Sequence, residues 1–132
     1  EIKLTRSGDN FLELGERTTI MNNAKPDLVL SLHVNSSKDT ATKGMEFFVC
    51  YSTKEYEKSS AFAEKLSGKF SKEYEIRGIK NASFYILKNT TVPAISFEMG
   101  FLSNPDDKAY LSDPAKQDEI AATTLDFIKD IK

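Results

Sequence analysis

One cysteine, one histidine and no unbroken apolar stretch long enough to cross a membrane set the first bounds on this 132-residue chain. A lone thiol, Cys50, cannot form an internal disulfide, and a chain of this length can bury a core without one. Cys50 sits in the apolar run Met45-Glu46-Phe47-Phe48-Val49-Cys50-Tyr51, where a small core residue is the ordinary reading and a nucleophile the rarer one. An excess of basic charge is missing too. The 18 Lys and Arg against 20 Asp and Glu leave a net charge of -2, which does not supply the field that nucleic acid or an anionic membrane surface requires. No repeat, low-complexity tract or linker divides these residues, and none of them read as a signal peptide or a transmembrane helix.

What is present alternates between strand and helix signals, the pattern of a single three-layer α/β domain spanning residues 1–132. Residues 1–6 read as a strand, and Ser7-Gly8-Asp9-Asn10 as a turn. A helix follows with Asn10 as its cap and Glu13 completing an approximate capping box. It ends near Ala24, ahead of Pro26. The strand ending at His33 is next, then a polar loop over residues 35–43 that Gly44 closes, and a third strand covers residues 45–51. Phe62, Leu66 and Phe70 recur at four-residue spacing, the stripe of an amphipathic helix over residues 54–72. A short strand is expected around residues 84–87 and a longer one over residues 92–100. Asn104-Pro105 and Asp113-Pro114 each combine a cap with proline at the first helical position. The second opens a terminal helix whose Ile120, Thr124, Phe127, Ile128 and Ile131 face inward.

Two residues carry chemistry at the ends of apolar strands. His33 closes Asp27-Leu28-Val29-Leu30-Ser31-Leu32-His33-Val34-Asn35, and Glu98 lies near the end of Val92-Pro93-Ala94-Ile95-Ser96-Phe97-Glu98-Met99-Gly100. In open α/β sheets ligands bind beyond the carboxyl ends of such strands. His33 is either a satisfied structural imidazole or a metal ligand. Ser31 and Asn35 share its face in an alternating strand, and Asn35 either orients the ring or substrate or simply forms a turn. Glu98 lies between Phe97 and Met99, where an ionised carboxylate is costly unless paired. It is either an ion pair with a lysine or Arg77 across the sheet, or a general base with a raised pKa.

Longer motifs carry a resemblance. Ser31-Leu32-His33-Val34-Asn35, the strand opening Gly44-Met45-Glu46, Arg77-Gly78-Ile79-Lys80, Phe84-Tyr85-Ile86-Leu87-Lys88-Asn89-Thr90, and the run from Val92 to Asn104-Pro105 occur in one order. Together they resemble the zinc-dependent N-acetylmuramoyl-L-alanine amidases of the type 3 family. The resemblance implies an α/β/α sandwich on a mostly parallel mixed sheet. It implies peptidoglycan or muropeptides as substrate, with hydrolysis of the amide between N-acetylmuramic acid and the L-alanine of the stem peptide. It implies one zinc ion in the complete domain, with His33 as a ligand and Glu98 as catalytic base. Asn35 and Arg77 would line the substrate groove, and Glu46 would belong to the structural strand, outside the site. Such a reading places the enzyme at the bacterial cell wall, periplasmic or extracellular.

The same comparison sets an expectation of incompleteness. In that family a first strand ending in a Gly-His-Gly-Gly-like motif supplies another histidine, and a following glutamate supplies a further ligand. Neither motif is in these residues, so the domain is expected to be truncated at its N-terminus, to hold zinc weakly and to be inactive alone. It is also expected to offer unpaired sheet edges through which copies could associate. The alternatives are an inactive peptidoglycan-binding or partner-binding module and, on architecture alone, a zinc exopeptidase.

Overall fold

Alternation of large apolar and small or polar residues along the strands determines which face of the sheet is buried more deeply. The computed structural model describes residues 1–131. In chain order these form α1 (Leu14–Ala24), β1 (Val29–Asn35), β2 (Met45–Val49), α2 (Tyr56–Phe70), β3 (Ile76–Asn81), α3 (Tyr85–Asn89), β4 (Ala94–Phe101), α4 (Pro105–Leu111) and α5 (Pro114–Asp130). The sheet runs in the order β1-β4-β2-β3. The β1/β4 and β2/β3 pairs are parallel, and β2/β4 is antiparallel. The expected mixed, mostly parallel sheet is what forms.

On one face, Met45, Phe47 and Val49 of β2 and Ile95 and Phe97 of β4 meet Ala63, Leu66 and Phe70 of α2 and Ile120 and Phe127 of α5. Phe47 stacks on Phe97 with ring centroids 4.7 Å apart, and Phe70 leans on the same ring at 5.2 Å. The other face holds a smaller cluster, Val29, Cys50, Leu87 and Ala94, with Met21 of α1 and Ile86 of α3 packed against it. Helices therefore cover both faces, giving three layers. The smaller cluster covers only the lower part of its face; the rows of β1, β4 and β2 beyond it carry mostly polar side chains. Cys50 is a buried core thiol, as read from its neighbours.

Three local expectations are corrected. Residues 1–13 form neither strand nor helix. Ile2 and Leu4 are 60% and 75% exposed, and an extended segment with no neighbouring strand has nothing to accept its backbone hydrogen bonds. α1 begins after Glu13 rather than after Asn10, with Glu16 Oε2 accepting from the Glu13 backbone N–H at 2.9 Å. The capping logic holds, moved on by three residues. Residues 84–87 are not a strand either: they enter the single-turn helix α3, where consecutive Ile86 and Leu87 both reach the smaller core. A strand would send those two side chains to opposite faces. β3 carries no clear strand signal in sequence because Arg77, Gly78 and Lys80 interrupt its alternation; charge suits its place at a sheet edge. The caps at Asn104 and Asp113 form as expected.

Candidate functional site

Strand register brings the two sequence candidates together. His33 of β1 is the direct neighbour of Glu98 of β4, and on the other side Glu98 faces Glu46 of β2. The three side chains make one row across the sheet, on the face of the smaller core and beyond its edge. Below them Ser31, Ser96 and Phe48 form the next row, with Phe84 against Phe48 at 5.2 Å. His33 is exposed, and its Nε2 lies 2.6 Å from Ser31 Oγ, a bond the strand's two-residue period makes possible.

Glu98 is half-buried, and its Oε2 is fully enclosed without a hydrogen-bond partner among the described residues. Burial pushes its carboxyl pKa up. The Glu46 carboxylate adds to that rise, while His33 pulls the other way. The ion-pair explanation for Glu98 fails, because both cations that could have served it go to Glu46. Lys80 Nζ sits 2.5 Å from Glu46 Oε2, and Arg77 Nε 3.5 Å from Glu46 Oε1. Asn35 also turns to Glu46, donating from Nδ2 to Oε1 at 3.3 Å rather than to the imidazole. Asn35 and Arg77 thus meet on Glu46, one strand from the His33–Glu98 pair.

Glu46 was set outside the site, and the structure places it inside this row. The signal was available: the reasoning that singled out Glu98 applies equally to an acid between Met45 and Phe47. Lys80 was missed because a lysine on an edge strand is ordinary. Only the pairing register shows what it reaches.

The rim of the site is built from the stretch after Glu98. Gly100 packs so close to Tyr110 that a Cβ there would overlap the phenol hydroxyl. Asn35 O accepts from the Leu102 N–H at 2.8 Å, Ser103 Oγ from the Ser37 N–H at 2.9 Å, and Asn104 Nδ2 donates to Thr40 O at 2.8 Å. Buried Asp107 accepts from both Gly44 N and Phe101 N at 2.9 Å. These bonds tie α4 to the loop after β1 and to the start of β2, fixing the strand ends that carry the row.

A catalytic zinc takes three protein ligands and leaves a position for water. Among the described residues no three of His, Cys, Asp and Glu lie close enough to hold a metal ion. Of such a set these residues bring one imidazole, His33, beside the enclosed Glu98 oxygen; by themselves they do not complete a zinc centre.

The family model for N-acetylmuramoyl-L-alanine amidase matches residues 1–130. Among curated relatives, the N-acetylmuramoyl-L-alanine amidase LytC of Bacillus subtilis is 30% identical over 93% of this chain and 25% of its own length. The endolysin of Bacillus phage SPP1 is 33% identical over 98% of this chain and 49% of its own. The chain thus spans a quarter to a half of these relatives. Among solved structures, the catalytic domain of CwlV, an N-acetylmuramoyl-L-alanine amidase from Bacillus (Paenibacillus) polymyxa var. colistinus, superposes with a TM-score of 0.89 at 35% identity. That match covers 99% of this chain and 72% of that one.

Proposed function

Because this chain belongs to the N-acetylmuramoyl-L-alanine amidase family, we propose that its crevice is the working half of a muramyl-alanine amidase centre, with Glu98 as the general base. The observation that carries this is the enclosed, unpaired Oε2 of Glu98 beside His33. A buried carboxylate without a cation is unfavourable for folding and useful for taking a proton. Glu98 takes a proton from the water that attacks the lactyl carbonyl. It delivers that proton to the nitrogen of L-alanine as the carbon–nitrogen bond breaks. Asn35 and Arg77, which meet on Glu46, line the substrate groove beside the pair. His33 is the imidazole that would ligate the family's zinc, which when bound polarises the scissile carbonyl.

Further ligands are needed for that metal beyond those these residues bring to it, so we expect this chain alone to bind zinc at well below one ion per chain and to be inactive. Glu98→Gln, in whichever form of the protein hydrolyses muramyl-L-alanine amides, should lower that rate by about 10²–10⁴-fold; an unchanged rate removes Glu98 as base. Stoichiometric zinc with turnover by residues 1–132 would instead refute the claim of inactivity. The incomplete donor set also favours a second reading, an inactive module that binds peptidoglycan or a protein partner. Metal-independent muropeptide binding without turnover in any form, measured by calorimetry in zinc and in chelator, would favour it. Action at the cell wall, outside the cytoplasmic membrane, follows from the substrate. No helix among the described residues is long and apolar enough to cross a membrane.

A further inference from the structure

The amidase chemistry leaves one feature unused. Glu46 is a single, nearly enclosed carboxylate, its side chain 7% exposed, and it holds two cations. Its oxygens are fully engaged: Oε1 by Asn35 and Arg77, Oε2 by Lys80. One negative charge against two positive ones leaves an excess of one. Among the described residues neither Arg77 nor Lys80 pairs with any other carboxylate. Both remain partly open to solvent, with side chains 34% and 43% exposed.

Arg77 is held on several sides. Its guanidinium lies 5.3 Å from the centroid of the Phe101 ring, and Nη1 approaches Lys43 O at 3.5 Å. A guanidinium fixed by an aromatic face and a buried carboxylate, with donors left over, has lost most of its side-chain freedom before any ligand arrives. A structural ion pair would need only one of the two cations.

We infer that Arg77 and Lys80, anchored by Glu46, form a preorganised receptor for a carboxylate of the stem peptide, borne by the residue after its L-alanine. This deepens the amidase reading and rests on it. Placement supports it: Glu46 is the cross-strand neighbour of Glu98, and adjacent strands are about 4.8 Å apart. The cationic heads gathered at Glu46 therefore lie one strand from the base, a separation that one or two extended residues cover. A planar guanidinium presenting its free N–H groups suits a planar carboxylate, which it can bind in a bidentate pair.

The test is an NMR titration of the isotopically labelled 132-residue chain. One ligand is N-acetylmuramyl-L-alanyl-D-glutamate with its carboxylates free, the other the same molecule with both amidated. The acid should bind about tenfold more tightly and shift the Arg77 Nε–Hε resonance, which the amide leaves in place. The preference should vanish in Lys80→Met and Arg77→Met, their folding checked from the same spectra. Should either variant unfold, the Arg77 resonance in the parent chain still decides. Equal binding of acid and amide, an unmoved Arg77 resonance, or a preference that survives in the folded variants would overturn the receptor and leave the amidase reading standing. Binding of neither ligand would likewise overturn the receptor, while the amidase reading stands or falls on the rate of the Glu98→Gln variant.

Discussion

Glu98 and Glu46 are the same residue type one strand apart, and their surroundings give them opposite roles. Glu46 is compensated by Lys80, Arg77 and Asn35. Glu98 is not, and its pKa is raised chiefly by burial. A carboxyl that binds its proton more tightly when folded makes the fold less stable as pH climbs from the ordinary carboxyl range through the raised value. Glu98→Gln removes that penalty. In chelator at pH 7 the variant should melt above the parent chain, and the difference should close as the pH falls below the ordinary carboxyl range, where the carboxyl is protonated in both states. Calorimetric melts across pH check this; a variant less stable at pH 7 would show that the Glu98 charge is compensated. Glu46→Gln carries a second prediction. Loss of its negative charge should lower the Glu98 pKa, read from the carboxyl carbon resonance of metal-free protein, because Glu46 acts on Glu98 as a like charge.

Elements reach the site through their ends. α4 is only seven residues long, yet its Asn104 cap and Asp107 hold the loop after β1, the start of β2 and the end of β4. Tyr110 Oη adds a bond to Met99 O at 2.6 Å, and burial together with the Asp107 charge pushes the phenol pKa up, so it remains a donor. Asp107→Ala would strip an acceptor from two backbone N–H groups. At about 1–3 kcal/mol for each stranded donor, the loss should come to about 2–6 kcal/mol in denaturant melts. Gly100→Ala should destabilise as well, by collision with Tyr110 rather than by lost bonding; Tyr110→Phe, which removes the hydroxyl that the new methyl would meet, should recover part of that loss. α3 shows where sequence patterns fall short: a four-residue apolar run fits a strand or a helix turn equally well, and contact with both Met21 and Cys50 on one core decided for the helix.

Across the whole molecule, the deep core lies between the sheet and the α2/α5 layer, and the row of His33, Glu98 and Glu46 lies on the other face. Phe97→Ala, which removes the ring shared by Phe47 and Phe70, should cost about 3–5 kcal/mol, and denaturant melts would measure it. β1 is an edge of the sheet, and its Leu32 and Val34 are 54% and 46% exposed. A strand edge with apolar side chains and open backbone groups favours pairing with another chain. The 132-residue chain should therefore self-associate with concentration in sedimentation experiments, and Val34→Lys should suppress this without lowering the Tm appreciably. Association unaffected by that charge would place the contact elsewhere.

Strand–helix alternation, the caps at Asn104 and Asp113, the amphipathic stripe of α2 and the two strand-end residues His33 and Glu98 are all legible along the chain. These are local patterns: spacing, capping chemistry and an acid out of place among apolar neighbours can all be read along the chain. The tertiary structure decided what depends on residues far apart. It determined that residues 1–6 find no strand to pair with, that α3 is a helix, and that Arg77 and Lys80 go to Glu46 and leave Glu98 uncompensated. Register is the physical reason. Which carboxylate a lysine thirty-four residues away can reach depends on how strands align, and that alignment is set by the packing of the whole sheet.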